Sequence, residues 1–540
     1  MVQKYLFNDQ NSKLLKNNQS GGLFFEKEIV NYYSNSTFLK FPKERSCMKK
    51  QSASIYYIVL TVIFTLLPLS LNAQTISYKD SWGSAGLSLK EESANKVKIN
   101  FSISNLQFTD ITIKDAVMKN IQLPGVFLPN NAGAPDLPGS SRFIALPTGA
   151  VAKVVVNNFR TEVIKNIDIA PAPIIPKDND KNPMVYKKDD KIYSKDKNYP
   201  ESIVQLSEQS EIRGINSVIL GITPFQYNPV KKELTIYRDI DVTVTFDGGT
   251  GTFGNTKYRN RWWDPTLKNI FINSGSLPEV NYNITSKSLT SDFEYVIISP
   301  DNPTFLAWAD SIKNFRNAQG IRTGVVTLTQ IGGNTTTAIE TYVNTAYTTW
   351  AIPPTAVLLL GDYGTDAATG TNIISPIYNS YCKSDNLYAD VNGDHMPDVI
   401  FARILANNET QLSTIIGKIL KYERNPPVNP SFYDKPITAM GWQTERWFQL
   451  CSEIVNGFWT SLGKHPVREN SIYEGTPGTV WSSATNTNAV VSYFGPSGLN
   501  YIPQTTAGLT DWNGSAARIN NDINSGAFMV QHRDHGAETA

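Results

Sequence analysis

The chain is short of the residues that build cross-linked or metal-rich proteins. It has three cysteines, Cys47, Cys382 and Cys451, and four histidines in 540 residues. That cysteine count excludes a disulfide framework, and whether two of the three pair is not decided by sequence. Charge of one sign is also missing. The net charge is +1 with 18% charged residues, which gives no footprint for nucleic acid and no polybasic face for a membrane surface. Long apolar runs are absent except for one. What is present is ample core material: 41% hydrophobic residues and 11% aromatics. At this length about two to four domains are expected.

The one long apolar run lies in "MKKQSASIYYIVLTVIFTLLPLSLNAQ", Met48 to Gln74. Lys49 and Lys50 precede it, Ile55 to Leu71 form it, and Leu71-Asn72-Ala73 gives a small-residue cleavage site. This is the layout of a secretory signal peptide, residues 48–73. An uncleaved anchor is the alternative, since the run only just reaches the lower limit of a membrane span. The 47 residues before Met48 are polar and Asn-rich with no sustained period, and they read as a spurious upstream extension, residues 1–47. With the leader removed, Cys382 and Cys451 are the only thiols, and no membrane span is expected.

From residue 74 to about 285 the pattern is β. "VAKVVVNNF", "SVILGITPFQYNP" and "KKELTIYRDIDVTVTFDGG" alternate apolar and polar residues between Pro, Asn and Gly turns, as in an antiparallel sandwich. The charged stretch Lys177 to Pro200 reads as a solvated loop. Ser276 to Asp292 is linker-like. Beyond it strands and helices alternate: "FEYVIIS", a helix from Pro303 to about Gln319 capped by Asn302, "GVVTL", "TTAIETYVNTAYTTW", "TAVLLLGD", "DVIFARI" and "NETQLSTIIGKILKYERNP". That order predicts a parallel sheet with helices on both faces, over 290–428. A second round over 429–540 has "KPITAMG" as a strand and "TERWFQLCSEIVNGFWTSLG" as a helix. A long irregular region follows, then the helix "SAARINNDINSG" and the strand "AFMVQ". No internal repeat is evident.

The closing strand runs into His532-Arg533-Asp534-His535-Gly536. Reactive groups in an open α/β sheet sit beyond the carboxyl ends of parallel strands. Histidine moves protons near neutral pH, and Gly536 could leave an amide free for an oxyanion. A hydrogen-bonded turn at a strand end is an equally good reading of the pattern. Zinc is a weaker one: His532 and His535, with Asp534 and Glu538 nearby, do not have the helical His-Glu-x-x-His spacing.

At these residues the chain resembles the gingipain family of secreted bacterial cysteine peptidases. "HRDHGAET" is similar to that family's catalytic-histidine segment. "LLLGD" (Leu358 to Asp362), "SDNLYADVNGDHMPDVIFAR" (Ser384 to Arg403) and "KYERNP" (Lys421 to Pro426) resemble its catalytic domain, and "APDLPGSSRFIALPTGA" and "TPFQYNPVKKELTIYRDIDVTVTF" its propeptide. The resemblance covers most of 75–540 in the family's order. It implies an α+β multidomain chain, a β-rich, sandwich-like propeptide over 74–285 followed by a caspase-like α/β domain with parallel sheets. It further implies a cysteine–histidine pair acting on protein or peptide substrates without a catalytic cofactor, and a propeptide that acts as intramolecular inhibitor.

His535 is the position that matches the family histidine, and Glu474 in "SIYEGTPG" is the candidate carboxylate to orient it; an exposed loop glutamate is the plain alternative. The family's nucleophilic cysteine follows the histidine at the end of the next strand. Cys451 lies inside the helical pattern "WFQLCSEIV" and Cys382 precedes the histidine, so neither matches. The chain is therefore expected to be a fragment incomplete at its C-terminus, lacking the nucleophile and inactive as written. Asp390, Asn392, Asp394 and Asp398 supply oxygens at alternate positions, as calcium requires, and family members bind calcium. His395 and Phe401 break the EF-hand template, and a polar turn is the plainer reading. No acid lies between Glu474 and Asp511, which puts specificity for Arg or Lys in doubt. Two other readings stay open, a catalytically dead binding or inhibitory protein and a metal-dependent hydrolase.

Overall fold

The computed structural model describes residues 74–126, 130–174, 185–280, 292–364, 370–380, 382–442, 446–470, 480–484, 487–496, 498–507, 509 and 513–534. The extension 1–47, the signal-peptide segment 48–73, and Glu474, His535 and Gly536 lie outside them, as does the charged stretch up to residue 184. Among the described residues no helix is long and apolar enough to cross a membrane.

Residues 74–280 are built on antiparallel sheets of three, four and five strands. The longest pair joins β1 (Ala150–Lys165) to β4 (Glu233–Gly248). The alternation read from "ELTIYRDIDVTVTF" is real: Leu234, Ile236, Val242, Val244 and Phe246 face one core with Val97, Ile99, Phe101 and Leu220. A bulge at Arg238 breaks the alternation, and Asp239 is fully buried beside it. Its carboxylate is satisfied by Arg160 Nε at 2.8 Å, Ser102 Oγ at 2.7 Å and the Trp82 amide at 2.8 Å. Between these long strands lies a tight hairpin of β2 (Ser210–Ile212) and β3 (Ile215–Ile222). After β4 the short helix α1 (Asp264–Ile270) closes the domain.

The α/β half begins with β5 (Tyr295–Ser299), α2 (Pro303–Ala318), β6 (Thr323–Thr327), α3 (Thr336–Thr349), β7 (Ala356–Leu360), β8 (Ile400–Ile404) and α4 (Glu409–Arg424). These four strands are all parallel in the order β6-β5-β7-β8. Alternation sends successive side chains to opposite faces, and both faces are covered. Val296, Ile298, Val357 and Leu359 pack with Ile339 and Val343 of α3. Ile297, Leu358 and Leu360 pack with Phe305 of α2 and with Leu412 and Ile416 of α4. Each helix starts where a cap is available: Asn302 accepts from the Thr304 and Phe305 amides, Thr335 from Ala338 and Asn408 from Gln411.

A second parallel sheet has the order β10-β9-β11, with β9 (Ile437–Met440) in the middle, β10 (Val467–Asn470) and β11 (Val530–Arg533). Helices α5 (Trp447–Ser461), α6 (Thr487–Phe494) and α7 (Ala516–Gly526) accompany it. Two expectations are corrected here. The stretch after α5 is not wholly irregular, since it contains β10 and α6. The closing strand starts at Val530 rather than Ala527, so His532 and Arg533 belong to it.

The N-terminal domain meets the first parallel sheet at the edge where its strands begin. Lys257 Nζ donates to Thr348 O at 2.9 Å, Asn260 Nδ2 to Thr355 Oγ1 at 2.9 Å, and Arg261 Nη2 to Gly320 O at 3.2 Å. The carboxyl edge of that sheet is the opposite one.

Two substitutions on α3 separate cap from core. Ile339→Ala empties a fully buried position and should cost about 2–5 kcal/mol. Thr335→Ala removes only the cap and should cost about 1 kcal/mol. Urea unfolding of the α/β half measures both; equal costs would contradict the two-face burial of this sheet.

Candidate functional site

The candidate site grows from the second sheet. Ile437 is in register with Val467 on one side and Val530 on the other, and Met440 with Asn470 and Arg533. All three strands run the same way, so the chain leaves them on one edge after Met440, Asn470 and Arg533. Glu474 follows four residues after the end of β10, and His535 two residues after the end of β11. The strands leading to both candidate residues thus share a rim, although both residues lie outside the described ones, as does Gly536.

The described part of the rim is tightly built. The Gly441 amide donates to Arg533 O at 3.0 Å, which extends the β9–β11 pairing by one residue. A Cβ at Gly441 would overlap the Asp534 carboxylate, so glycine is needed there for the acid to lie across the end of β9. Arg533 points to the α5 side, with its guanidinium 4.8 Å from the Phe448 ring centre. His532 is exposed, and strand alternation puts it on the face opposite Arg533.

Beneath the rim α5 buries polar side chains beside Phe448 and Leu450. Gln449, Ser452, Glu453 and Asn456 are all buried against the sheet. The Glu453 carboxylate accepts from Arg468 Nε at 2.8 and 3.0 Å and from Asn470 Nδ2 at 3.4 Å. On the other face of β10, Glu469 is fully buried 2.9 Å from Arg518 of α7. Burial raises the Glu469 carboxyl above its ordinary range, with a hydrogen bond to Asp522 acting the same way and Arg518 opposing. Strand β10, "VREN", is therefore clamped by an ion pair on each face. No hydrophobic alternation signals it; the recurring acids and arginines on β10, α5 and α7 were the only available sign. These clamps fix where the chain departs toward Glu474.

Among the described residues the two cysteines, Cys382 and Cys451, are both free. Cys451 is half-buried in the second turn of α5, and burial pushes its thiol above the ordinary value while Arg533 pulls it down. A raised thiol is a poor source of thiolate. Cys382 is exposed in a short hairpin with Tyr378, on the first α/β unit.

The four oxygen-bearing residues of the 390–398 loop do not converge. Asp390 accepts from the amides of Gly393, Asp394 and His395 at 2.8, 3.1 and 2.8 Å. Asn392 accepts from the Asp394 amide at 3.0 Å, and Asp394 Oδ1 from Met396 at 2.9 Å. Asp398 is buried and bridges the loop and the N-terminal domain, accepting from the amides of Arg213 and Val391 at 3.0 and 3.2 Å. Among the described residues no group of three or more His, Cys, Asp or Glu is placed to hold a metal ion. As arranged, these oxygens do not fit a calcium ion.

Comparison with known proteins bears on both halves. Residues 288–540 match the sequence model of Peptidase family C25, and residues 85–260 match that of the C25 propeptide. Gingipain R2 of Porphyromonas gingivalis is 30% identical over 345 residues, 61% of this chain and 43% of that protein. Lys-gingipain of the same organism is 22% identical over 408 residues, 71% of this chain and 22% of that protein. Among solved structures, the complex of Porphyromonas gingivalis RgpB pro- and mature domains matches at 26% identity, covering 35% of this chain and 96% of that one, with a TM-score of 0.32. The chain spans less than half the length of the curated relatives it matches. With its propeptide segment preceding its catalytic segment, the chain belongs to the gingipain family of cysteine-type peptidases.

Proposed function

We propose that the chain is the zymogen form of an exported cysteine endopeptidase that hydrolyses protein or peptide substrates, with His535 as its acid–base residue. The observation that carries this reading is the shared rim: β10 and β11 flank β9 in parallel, so the segments entering Glu474 and His535 depart from one sheet edge. In the proposed chemistry the imidazole of His535 takes a thiol proton, and the thiolate attacks the scissile carbonyl carbon. The C–N bond breaks as the imidazolium protonates the leaving amine, and water then hydrolyses the thioester. Glu474 orients the imidazole, and the Gly536 amide stabilises the oxyanion. The sulfur of this pair is neither Cys382 nor Cys451, given their places in an exposed hairpin and inside α5. The residues up to about 280 act as an intramolecular inhibitor. Export rests on the layout of residues 48–73.

Two measurements on the complete expressed protein, with fluorescent casein as substrate, test the assignment. His535→Ala should lower kcat/KM by about a thousandfold or more, the scale on which loss of a catalytic histidine acts. His532→Ala should change it severalfold at most. Equal losses at both histidines would point to paired metal ligation instead. Absence of any peptidase activity to lose would favour a binding or inhibitory protein.

The cysteines give an independent check. Cys451→Ala and Cys382→Ala should each retain peptidase activity within about threefold, since one sulfur lies inside a helix and the other in an exposed hairpin. Inactivation by either substitution, with the circular dichroism spectrum unchanged, would overturn the assignment.

A further inference from the structure

The hairpin between β2 and β3 turns on only two residues, Arg213 and Gly214, and both have positive φ, 51° and 74°. That is the backbone signature of a two-residue hairpin loop, where Asn-Gly or Asp-Gly is the usual choice. An arginine there sits in a sparsely populated conformation that the surroundings must hold. The surroundings are explicit. The Arg213 side chain is fully buried and crosses from the N-terminal domain into the base of the first parallel sheet. Its Nε donates to Tyr258 O at 2.7 Å, and its Nη1 to Pro354 O at 2.7 Å and Asp398 O at 2.8 Å. The guanidinium lies 5.1 Å from the Tyr347 ring centre and 5.6 Å from that of Trp263.

The rings around the guanidinium come from both domains. Tyr258 stacks on Tyr347 of α3 at 4.6 Å and 16°, closing the box around the guanidinium. Gly214 is required, because a Cβ there would strike the Tyr258 ring. The backbone docks as well as the side chain. The Glu211 amide donates to Asp394 Oδ2 at 2.5 Å and the Arg213 amide to Asp398 Oδ1 at 3.0 Å. Carbonyls and carboxylates of the α/β domain meet amides and the guanidinium of the N-terminal domain, while Glu211 brings a like charge near Asp394 and Asp398 and Arg213 Nη2 has no hydrogen-bond partner among the described residues.

We propose that Arg213 is a latch that keeps the N-terminal domain bound to the α/β domain after the chain between them is cut, with the loop Asp390–Asp398 as its receptor. The partner this surface fits is thus the cleaved N-terminal domain itself. The grip lies at the edge where the strands of the first sheet begin, whereas the proposed catalytic rim lies where the strands of the second sheet end. Retention of the domain is set at the base of the fold, whatever blocks the catalytic rim. The latch does not depend on the peptidase reading; only its role in zymogen control does.

A pH dependence accompanies the latch. Burial raises the Asp398 carboxyl to about 7, opposed by the amides of Arg213 and Val391 and reinforced by Asp394 and Glu211. Glu211 is raised by burial and by Asp394. Burial pushes Arg213 down to about 10, so it remains charged at neutral pH. Tyr347 and Tyr258 also face this group, and burial raises both phenols. Undocking exposes Asp398 to water and returns it toward the ordinary carboxylate range. The docked state therefore binds the extra proton. Association is strongest below the ordinary carboxylate range, weakens as pH rises through the interval to about 7, and is level above that.

The experiment inserts a specific protease site between residues 280 and 292 of the full chain, cuts it, and measures association of the two parts by gel filtration and by surface binding after separation. The wild-type parts should stay together. Arg213→Ala should raise Kd at least about thirtyfold, the lower end of what truncating a buried hydrogen-bonded charge does. Arg213→Lys, which cannot reach several carbonyls at once, should fall between. Asp398→Asn should flatten most of the pH dependence, leaving the part due to Glu211. Should Arg213→Ala disturb folding, Tyr258→Ala opens the box through a second residue of the N-terminal domain, and hydrogen exchange at the Glu211 and Arg213 amides of the uncut chain reports docking directly. Parts of Arg213→Ala that associate within about threefold of wild type, or fast exchange at both amides in the wild-type chain, would overturn the latch. None of these readouts uses peptidase activity, so failure of the catalytic assignment leaves them unchanged.

Discussion

Parallel pairing is the constraint from which the functional geography follows. A parallel strand needs a crossover to return the chain, so every loop that leaves a carboxyl end emerges on one edge, and every connection that re-enters does so on the other. In the second sheet this gathers the ends of β9, β10 and β11, and with them the approaches to Glu474 and His535. In the first sheet it gathers Gly320, Thr348, Pro354, Thr355 and Asp398 at the entering edge, where the N-terminal domain docks. Chemistry and domain association are thereby assigned to different edges by the same rule of strand direction.

Most of the α/β architecture was legible because its interactions are local or apolar. Asn302 before Pro303, Thr335 before α3 and Asn408 before α4 mark helix starts by a mechanism that needs no tertiary information. The runs "YVIIS" and "AVLLL" show no alternation because both of their faces are covered, which is itself the mark of a parallel sheet with helices on each side. Strand β10 was not legible for the complementary reason. Its residues Arg468, Glu469 and Asn470 are stabilised by Glu453 on one face and Arg518 on the other, so its burial rests on charge pairing that a hydrophobic pattern does not register. The closing strand shifted for a similar reason. Register with Ile437 begins at Val530, and His532 is carried in the strand opposite Ala439 although it faces outward.

The candidate site was partly legible. The approach of His535 along a strand follows from the apolar run before it, and the parallel placement of that strand beside β9 agrees with the expectation. Glu474 is singled out in the sequence by its distance from His535 and its turn-rich context, while the double clamp on β10 that sets where the chain leaves the sheet has no mark in residues 471–479. The docking arginine was invisible altogether. "EIRGIN" carries no periodicity, and a lone arginine between two short strands reads as solvated until the partner carbonyls from a second domain are known.

The aspartate-rich loop shows how one composition serves two chemistries. Alternate Asp and Asn residues supply many oxygens in a short span, and a divalent ion or a set of backbone amides can satisfy them equally well. Here the amides of residues 393–396 have taken the oxygens of Asp390, Asn392 and Asp394, which freezes the loop ahead of β8. That leaves Asp398, two residues before β8, to face the other domain. A carboxylate there loses hydration on docking, and the amides of Arg213 and Val391 and the Tyr347 hydroxyl replace it only in part. The result is an interface whose strength depends on protonation, because the group that most resists desolvation sits at its centre. Ordering the loop from within is what makes that central carboxylate available to a partner.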